Sequence, residues 1–353
     1  LGIDPTGSKL HLGHAVVLRK LQAFADAGHD VIFLIGSFTA MIGDPSGRDT
    51  MREPLTEKQV KENFETYKKQ ASKVLDFKKV TIKHNHEWLG KMKLEDTLKL
   101  ASNFTVQQMM QRDMFKERIK NDQEISVTEF LYPLMVGYDS VVLDVDAELG
   151  GNDQLFNMLA GRTLQKALGK KEKFVVTTKL IEGTDGRKMS KTYDNCIWLE
   201  DSAKEMFGKT MRIKDELITT YMECCTDIPM EEIKDAEAQI KKGANPKDFK
   251  VKLAKAIVEL YHDAKAADEA AAEFTRMFTD HGTPDEMEEV KAGVGESLID
   301  LMVRAKLVTS KSEARRLIEQ GGVKLDDEVI KTIDTKAMKG ILKVGKRKFV
   351  KMI

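Results

Sequence analysis

Three cysteines in 353 residues leave no disulfide framework. Cys224 and Cys225 are neighbours, Cys196 stands apart, and none has metal-site spacing. That usage points to a reducing cytosol. Long apolar runs are missing too, and a membrane-spanning helix needs about 20 such residues. No signal-peptide pattern opens the chain. It begins with Leu1 inside a strand-like stretch and not with Met, so its natural N-terminus is expected to lie upstream. Excess charge of either sign is also missing, with 57 Lys/Arg against 57 Asp/Glu. This balance argues against a tail-like binder of polyanions, but it hides an asymmetry. Residues 297–353 carry fourteen Lys/Arg and seven Asp/Glu, a net +7 that the rest of the chain offsets with −7. A basic terminal module on a mildly acidic body is a nucleic-acid signal.

The chemistry is concentrated in two short strings. The first is His11-Leu12-Gly13-His14, shortly after Asp4-Pro5-Thr6. Val17, Leu18, Leu21, Phe24 and Ala25 follow with helical period, so both histidines fall in a helix's opening turn, on one face. Free N–H groups and the dipole favour an anion there. Gly13 has no side chain to block a flat ring or a phosphate. Imidazoles that bind a five-coordinate phosphorus better than its ground state accelerate its formation. The second string is Lys188-Met189-Ser190-Lys191-Thr192, after the glycine-bearing stretch 182–187. The glycines and the lack of apolar periodicity mark a loop. Lysine is a compact charge on a flexible stem, suited to following a pyrophosphate. Together the strings point to a site for the triphosphate of ATP, where positioning and charge stabilisation dominate. Either string alone is compatible with ordinary surface polarity.

The length suits one large and one or two smaller domains. Val31–Gly36 reads as a buried parallel strand, Thr56–Leu75 as a charged helix and Val80–Ile82 as a strand. Leu94–Ile119 reads as helical, with Met109, Met110 and Met114 on or near one face. Val141–Leu143 and Phe174–Thr177 read as further strands, with a turn into a helix at Gly150-Gly151. Strands alternating with helices predict an α/β, doubly wound parallel (Rossmann-like) domain over residues 1–200, with ligands at the strands' carboxyl ends. Residues 201–280 are almost all helix-forming, including an amphipathic helix opened by Pro246. Residues 281–296 are rich in Gly, Pro and acids and read as a linker. Residues 297–353 read as a small α+β module of two short helices and strands near 321–325 and 349–350. Lys311, Arg315 and Arg316 fall on or beside one of its helix faces, a pattern for phosphate contacts.

The motifs and their order resemble class I aminoacyl-tRNA synthetases, and bacterial tyrosyl-tRNA synthetases in particular. The residues that carry the likeness are Gly2–Thr6, His11–His14, Gly43-Asp44-Pro45-Ser46-Gly47, Glu129–Tyr132, Gly137-Tyr138-Asp139, Gly150–Gln154 and Lys188–Thr192. The likeness runs over nearly the whole chain. The tail resembles the α-L RNA-binding fold at the C-terminus of many such enzymes. The resemblance implies that His11, His14, Lys188 and Lys191 are catalytic. It implies ATP contacts from Asp4, Thr6, Gly13, Gly151, Asp153, Ser190 and Lys191. For tyrosine it implies Gly2, Asp44, Tyr132, Val136, Asp139 and Gln154. Asp44 and Tyr132 would take the ammonium group, Asp139 the phenol hydroxyl, and Gln154 would lie near the carboxylate. A buried acceptor left unpaired by an analogue without the hydroxyl gives selectivity. Position 136 departs from the family, which commonly has glutamine where this chain has Val136. A second partner for the phenol would stand before Leu1.

The implied activity is tyrosine–tRNA ligation from ATP with Mg2+, with no structural metal, in the cytoplasm, by a homodimer that contacts tRNA(Tyr). A tryptophanyl enzyme would share the His and Lys strings but normally lacks the basic tail and the Tyr132–Asp139 pattern. A stand-alone adenylyltransferase would need no tRNA modules. A synthetase-derived RNA-binding protein would not need intact His and Lys strings.

Overall fold

The computed structural model describes residues 1–46, 55–190, 193–278, 287–293, 295–326, 328–345 and 348–353. Gly47, Lys191, Thr192 and much of the expected linker lie outside them. In chain order the first elements are β1 (Gly2–Ile3), α1 (Leu12–Asp26), β2 (Val31–Ile35), α2 (Glu57–Ala71) and β3 (Val80–His84). β2 is apolar along its whole length because it is covered on both sides. It pairs in parallel with β1, Gly2 opposite Leu34, and with β3, Val31 opposite Val80. Then come α3 (His86–Leu89), α4 (Leu94–Ala101), α5 (Val106–Met109), α6 (Asp113–Lys120), α7 (Val127–Leu143), β4 (Ala147–Gly151), α8 (Leu155–Ala167) and β5 (Phe174–Thr178). β4 and β5 form a second parallel pair.

Two expectations are corrected here. The Leu94–Ile119 stretch is three helices, not one. Thr105 caps α5 by accepting the Gln108 amide at 3.2 Å, and Arg112 in extended geometry precedes α6. Val141–Leu143 is the end of a helix and not a strand. Val141 continues the buried stripe of α7, and Asp144 stops the helix in the left-handed region at φ 49°. The strand starts at Ala147 instead. A three-residue apolar run fits either structure, and the longer helical period decided it.

α7 and α8 pack closely through glycines. A Cβ on Gly137 would stand 3.0 Å from the Gly161 nitrogen. A Cβ on Gly161 would in turn overlap Lys173 Nζ and lie 2.9 Å from Ser140 Oγ. The buried Lys173 ammonium is held by Glu148 and by Ser140 Oγ. Burial lowers its pKa, against the pull of Glu148.

α9 (Ala203–Met211), α10 (Ile218–Cys225), α11 (Met230–Lys241), α12 (Pro246–Tyr261) and α13 (Ala264–Phe278) form the helical stretch. Asn245 caps α12 on the Lys247 amide at 3.1 Å, and Leu253, Ala254, Ile257, Val258 and Tyr261 form its buried face. No described helix is long and apolar enough to cross a membrane.

The chain divides into two compact units, Leu1–Ala267 and Asp268–Ile353. The second holds β6 (Glu288–Val290), α14 (Leu298–Arg304), α15 (Lys311–Glu319), β7 (Val323–Leu325), β8 (Glu328–Val329), β9 (Gly340–Val344) and β10 (Lys348–Met352). Its sheet runs β6-β10-β9-β7-β8 over a core that includes Leu298, Leu301, Met302, Ala314, Ile318, Leu342 and Val350. β6 lies within the expected linker and pairs in parallel with β10, a long-range match that its acidic composition does not betray.

Candidate active site

Residues from both strings and from the carboxyl ends of the strands meet in the first unit. His11 is the N-cap of α1. Its Nδ1 accepts the Gly13 amide at 3.1 Å, while its own amide donates to His14 Nδ1 at 3.2 Å. The two rings lie 3.9 Å apart. Burial holds His11 down to about 2, helped by His14 and Lys188, and His14 down to about 4. Both imidazoles are therefore neutral at pH 7. With each Nδ1 accepting, the network assigns the ring proton to Nε2, which faces away from the cap as a donor. The space beside Gly13 is filled by the His11 ring and, at 3.6 Å from a Cβ built there, by Met189 Sδ.

That contact brings the second string against the first. The Leu12 amide donates to Ile197 O (3.0 Å) and the Leu199 amide to Leu10 O (2.9 Å), so the segment leaving the lysine loop docks on the histidine turn. Asn195 braces the loop. It accepts the Ser190 amide at 2.8 Å and donates to Asp185 (2.8 Å) and Lys188 O (3.1 Å). Lys188 reaches across to Asp153 at 3.2 Å, with their side chains 56% and 25% exposed. Asp153 follows β4, and Gly151 packs close beside it.

The other half of the site is interlocked by hydrogen bonds and partly to fully buried. Tyr132 OH donates to Asp4 Oδ2 at 2.8 Å. Thr39 donates to Asp4 Oδ1 at 2.7 Å. Asn85 donates to Thr39 Oγ1 (3.0 Å) and to Asp139 Oδ2 (3.1 Å), and Trp88 Nε1 donates to Asp139 Oδ1 at 2.8 Å. One chain of hydrogen bonds thus runs from Trp88 to Tyr132. Gly36, at the end of β2, makes room for it, since a Cβ there would overlap Asp4 and Thr39. Burial pushes Asp139 up to about 8 despite its two donors. Burial, with Asp4 and Asp44 nearby, raises the Tyr132 phenol well above 10. Asp44 accepts from the Ser46 amide (2.9 Å) and from Gln154 Nε2 (2.8 Å).

The positions singled out in the sequence sort as follows. His11, His14, Gly13, Lys188, Ser190, Gly151 and Asp153 gather at the histidine turn and lysine loop, where only Lys188 is exposed. Asp4, Asp44, Tyr132, Asp139 and Gln154 gather in the interlocked half, with Tyr132 and Asp139 buried and the others partly buried. The Thr6 amide donates to Asp4 O at 2.8 Å. Gly2 sits in β1, and Val136 is partly buried on α7, one turn beyond Tyr132. Lys191 is outside the described residues. Lys311, Arg315 and Arg316 belong to the second unit. All three are exposed on α15, with Lys311 tied to Asp300 at 2.7 Å. Thr39, Asn85, Trp88 and Asn195 have site contacts that no motif announced, as does Trp198, whose ring lies 5.8 Å from that of His11; only the aromatic character of Trp88 and Trp198 hinted at a role.

Parallel strands with the histidine turn at the first helix and the lysine loop after β5 define a class I aminoacyl-tRNA synthetase. Residues 1–279 match the family model of class I tRNA synthetases for tryptophan and tyrosine, and residues 297–336 match that of the S4 domain. The chain belongs to this synthetase family. Its relatives include tyrosine–tRNA ligase 2 of Vibrio cholerae, 47% identical over 357 residues that cover 100% of this chain and 90% of that one. Another is the tyrosine–tRNA ligase of Thermotoga maritima, 48% identical over 100% and 89% of the two chains. Among solved structures, a C-terminally truncated mitochondrial tyrosyl-tRNA synthetase of Aspergillus nidulans superposes with a TM-score of 0.63 at 25% identity, covering 78% of this chain and 84% of that one. A tryptophanyl-tRNA synthetase of Plasmodium falciparum shares the fold alone, with a TM-score of 0.57 at 14% identity over 77% and 75% of the chains.

Proposed function

We infer that this chain is a tyrosine–tRNA ligase. The observation that carries the reading is one site in which neutral imidazoles at a helix start lie in the same unit as a buried carboxylate already holding two donors. In the first step the tyrosine carboxylate attacks the α-phosphorus of magnesium-ATP. The bond to the β-phosphate oxygen breaks, giving tyrosyl-adenylate and pyrophosphate. We assign His11 and His14 Nε2–H to the phosphate oxygens of the transition state, and Lys188 and Lys191 to the departing pyrophosphate. Thr6, Gly13 and Ser190 line the phosphate path, and Gly151 and Asp153 take the ribose. Asp44 and Tyr132 hold the ammonium group, Asp139 the phenol hydroxyl and Gln154 the carboxylate side. In the second step the terminal ribose hydroxyl of tRNA(Tyr) attacks the acyl carbon and AMP leaves.

We place tRNA contacts on residues 201–280 and on the basic second unit, with Lys311, Arg315 and Arg316 facing phosphates. We further propose a cytoplasmic homodimer. The reading follows the family resemblance; Leu94, Val127 and Phe174, which are 75%, 76% and 71% exposed, are apolar side chains such an interface could cover.

Pyrophosphate exchange with ATP across the twenty amino acids tests the first step, and a preference for tryptophan would overturn the substrate assignment. Removing residues 297–353 should spare the exchange and cripple tRNA charging; normal charging would show that the basic module is dispensable. Sedimentation as a monomer would remove the dimer.

A further inference from the structure

Arg112 is a buried cation that touches no carboxylate among the described residues, although Asp44 and the buried Glu129 attract it from farther off. It is 8% exposed, its guanidinium lies 4.8 Å over Phe156 and 5.5 Å from Phe115, and no carboxylate pairs with it among the described residues. Its one polar bond runs from Nη2 to Ser46 Oγ at 2.8 Å, and Nη1 is buried without a partner. The other buried arginine nearby, Arg118, is neutralised by Glu129 at 2.7 Å. A buried charge with no contacting partner is unfavourable, so a packing role alone is a poor reason to keep one.

The bond to Ser46 joins a closed ring. The Ser46 amide donates to Asp44 Oδ1, and Gln154 Nε2 donates to Asp44 Oδ2. Asn157 Nδ2 donates to Gln154 Oε1 (2.7 Å) and to Ser46 Oγ (3.3 Å), which returns the ring to its start. Both oxygens of Asp44 are fixed by this ring. Arg112, in the extended residue before α6, and Asn157, on α8, come from different parts of the fold, and each keeps one buried atom unpaired, Nη1 and Oδ1. Val136 offers no amide to share the work.

We propose that Arg112 and Asn157, acting through Ser46, are positioning residues that hold Asp44 for the substrate's ammonium group. The inference rests on Asp44 being the ammonium acceptor. Arg112 fixes the turn at residues 43–46 from one side and Asn157 fixes Gln154 from the other.

The test compares Arg112→Met, Arg112→Lys, Asn157→Leu and Ser46→Ala with Asp44→Asn as reference. KM for tyrosine and for ATP comes from pyrophosphate exchange. Equilibrium binding is measured for tyrosine and for 3-(4-hydroxyphenyl)propanoate, which lacks the ammonium group. Arg112→Met and Asn157→Leu should raise the tyrosine KM about tenfold or more while ATP KM stays within about twofold. Arg112→Lys should recover most of the loss, and the propanoate should bind every variant alike. Equal loss for tyrosine and the propanoate would overturn the proposal, because Arg112 would then serve the carboxylate or the pocket as a whole. Tighter tyrosine binding by Arg112→Met would also overturn it, by showing that the cation only repels the ammonium. Should Arg112→Met fail to fold, Ser46→Ala cuts the ring by a single oxygen, and an unchanged tyrosine KM there would refute the idea. If Asp44→Asn itself leaves tyrosine binding unchanged, the assignment of Asp44 fails and this inference with it; if only the ring variants are silent, the inference alone fails.

Discussion

At the amino-acid end of the cleft, Asp4, Asp44 and Asp139 are each held by donors of the protein itself. At the phosphate end the groups are poised but largely unspent: two neutral imidazoles and a lysine whose side chain is 56% exposed. The first arrangement is rigid before any substrate arrives. It suits discrimination, because an imperfect guest leaves buried groups unpaired. The second meets charge that exists only as the reaction proceeds, which suits rate. The difference teaches that the two tasks use different electrostatics within one site: desolvated acids for recognition, desolvated bases for chemistry.

The contrast can be broken most sharply at the phosphate end. His14→Ala should slow adenylate formation by about 10²–10³, the usual loss for one transition-state donor, with tyrosine affinity unchanged. Single-turnover adenylation with parallel tyrosine binding measures the split; a fall in tyrosine affinity alone would merge the two ends. Lys188→Ala should act in the same direction with a smaller loss, because its partner Asp153 stands partly in solvent.

At the recognition end, Asp139→Asn should weaken tyrosine binding by about tenfold to a hundredfold and narrow the gap between tyrosine and phenylalanine. Because Asp139 is pushed up to about 8, it is mostly protonated at pH 7 without substrate. A phenol hydroxyl donating to it favours the ionised form, so tyrosine binding at pH 7 should release a proton. Calorimetry in buffers of different ionisation enthalpy reads that proton, and Asp139→Asn should abolish it.

The two ends should also pull stability in opposite directions with pH. Asp139 has a folded pKa above its unfolded value of 3.8, so the unfolded chain sheds its proton first and stability falls as pH rises from about 4 to about 8. His14 has a folded value of about 4 below its unfolded 6.5, so stability is lost as pH falls through that window. Thermal unfolding against pH should show the alkaline slope reduced in Asp139→Asn and the acid slope reduced in His14→Ala.

The smallest expected effect sharpens the recognition end. Val136→Gln should change tyrosine affinity by about 0.5–1.5 kcal/mol, the net worth of one hydrogen bond. No change in the tyrosine dissociation constant would mean that Asp44, Tyr132 or an ordered water already fills the role.

The groups legible in the sequence are those whose partners lie within a few residues. The His11–His14 turn is local, so spacing placed it at a helix start, although the cap box the two rings form was not legible. The parallel strand at Val31–Ile35 was legible because an apolar run of that length bounded by Gly36 has few other structures. Val141–Leu143 misled because three apolar residues carry no period of their own. Asn85, Thr39 and Trp88 were invisible because their partners are remote in the chain: Asn85 bonds Thr39 and Asp139 across 46 and 54 residues, Thr39 bonds Asp4 across 35, and Trp88 bonds Asp139 across 51. Arg112 was hidden inside a stretch that read as continuous helix. Only the break before α6 puts it in extended backbone, where its side chain reaches Ser46.

The contact between Gly137 and Gly161 has an evolutionary consequence. α7 carries Tyr132, Val136 and Asp139, while α8 follows directly on Gln154 and bears Asn157. With no Cβ to spare between the helices, neither can slide or roll past the other without a backbone clash. A lineage drifting toward a bulkier amino acid therefore cannot widen this floor by small helix shifts. It has to carve the space out of individual side chains, one substitution at a time, on a frame whose geometry was settled by two missing methyl groups.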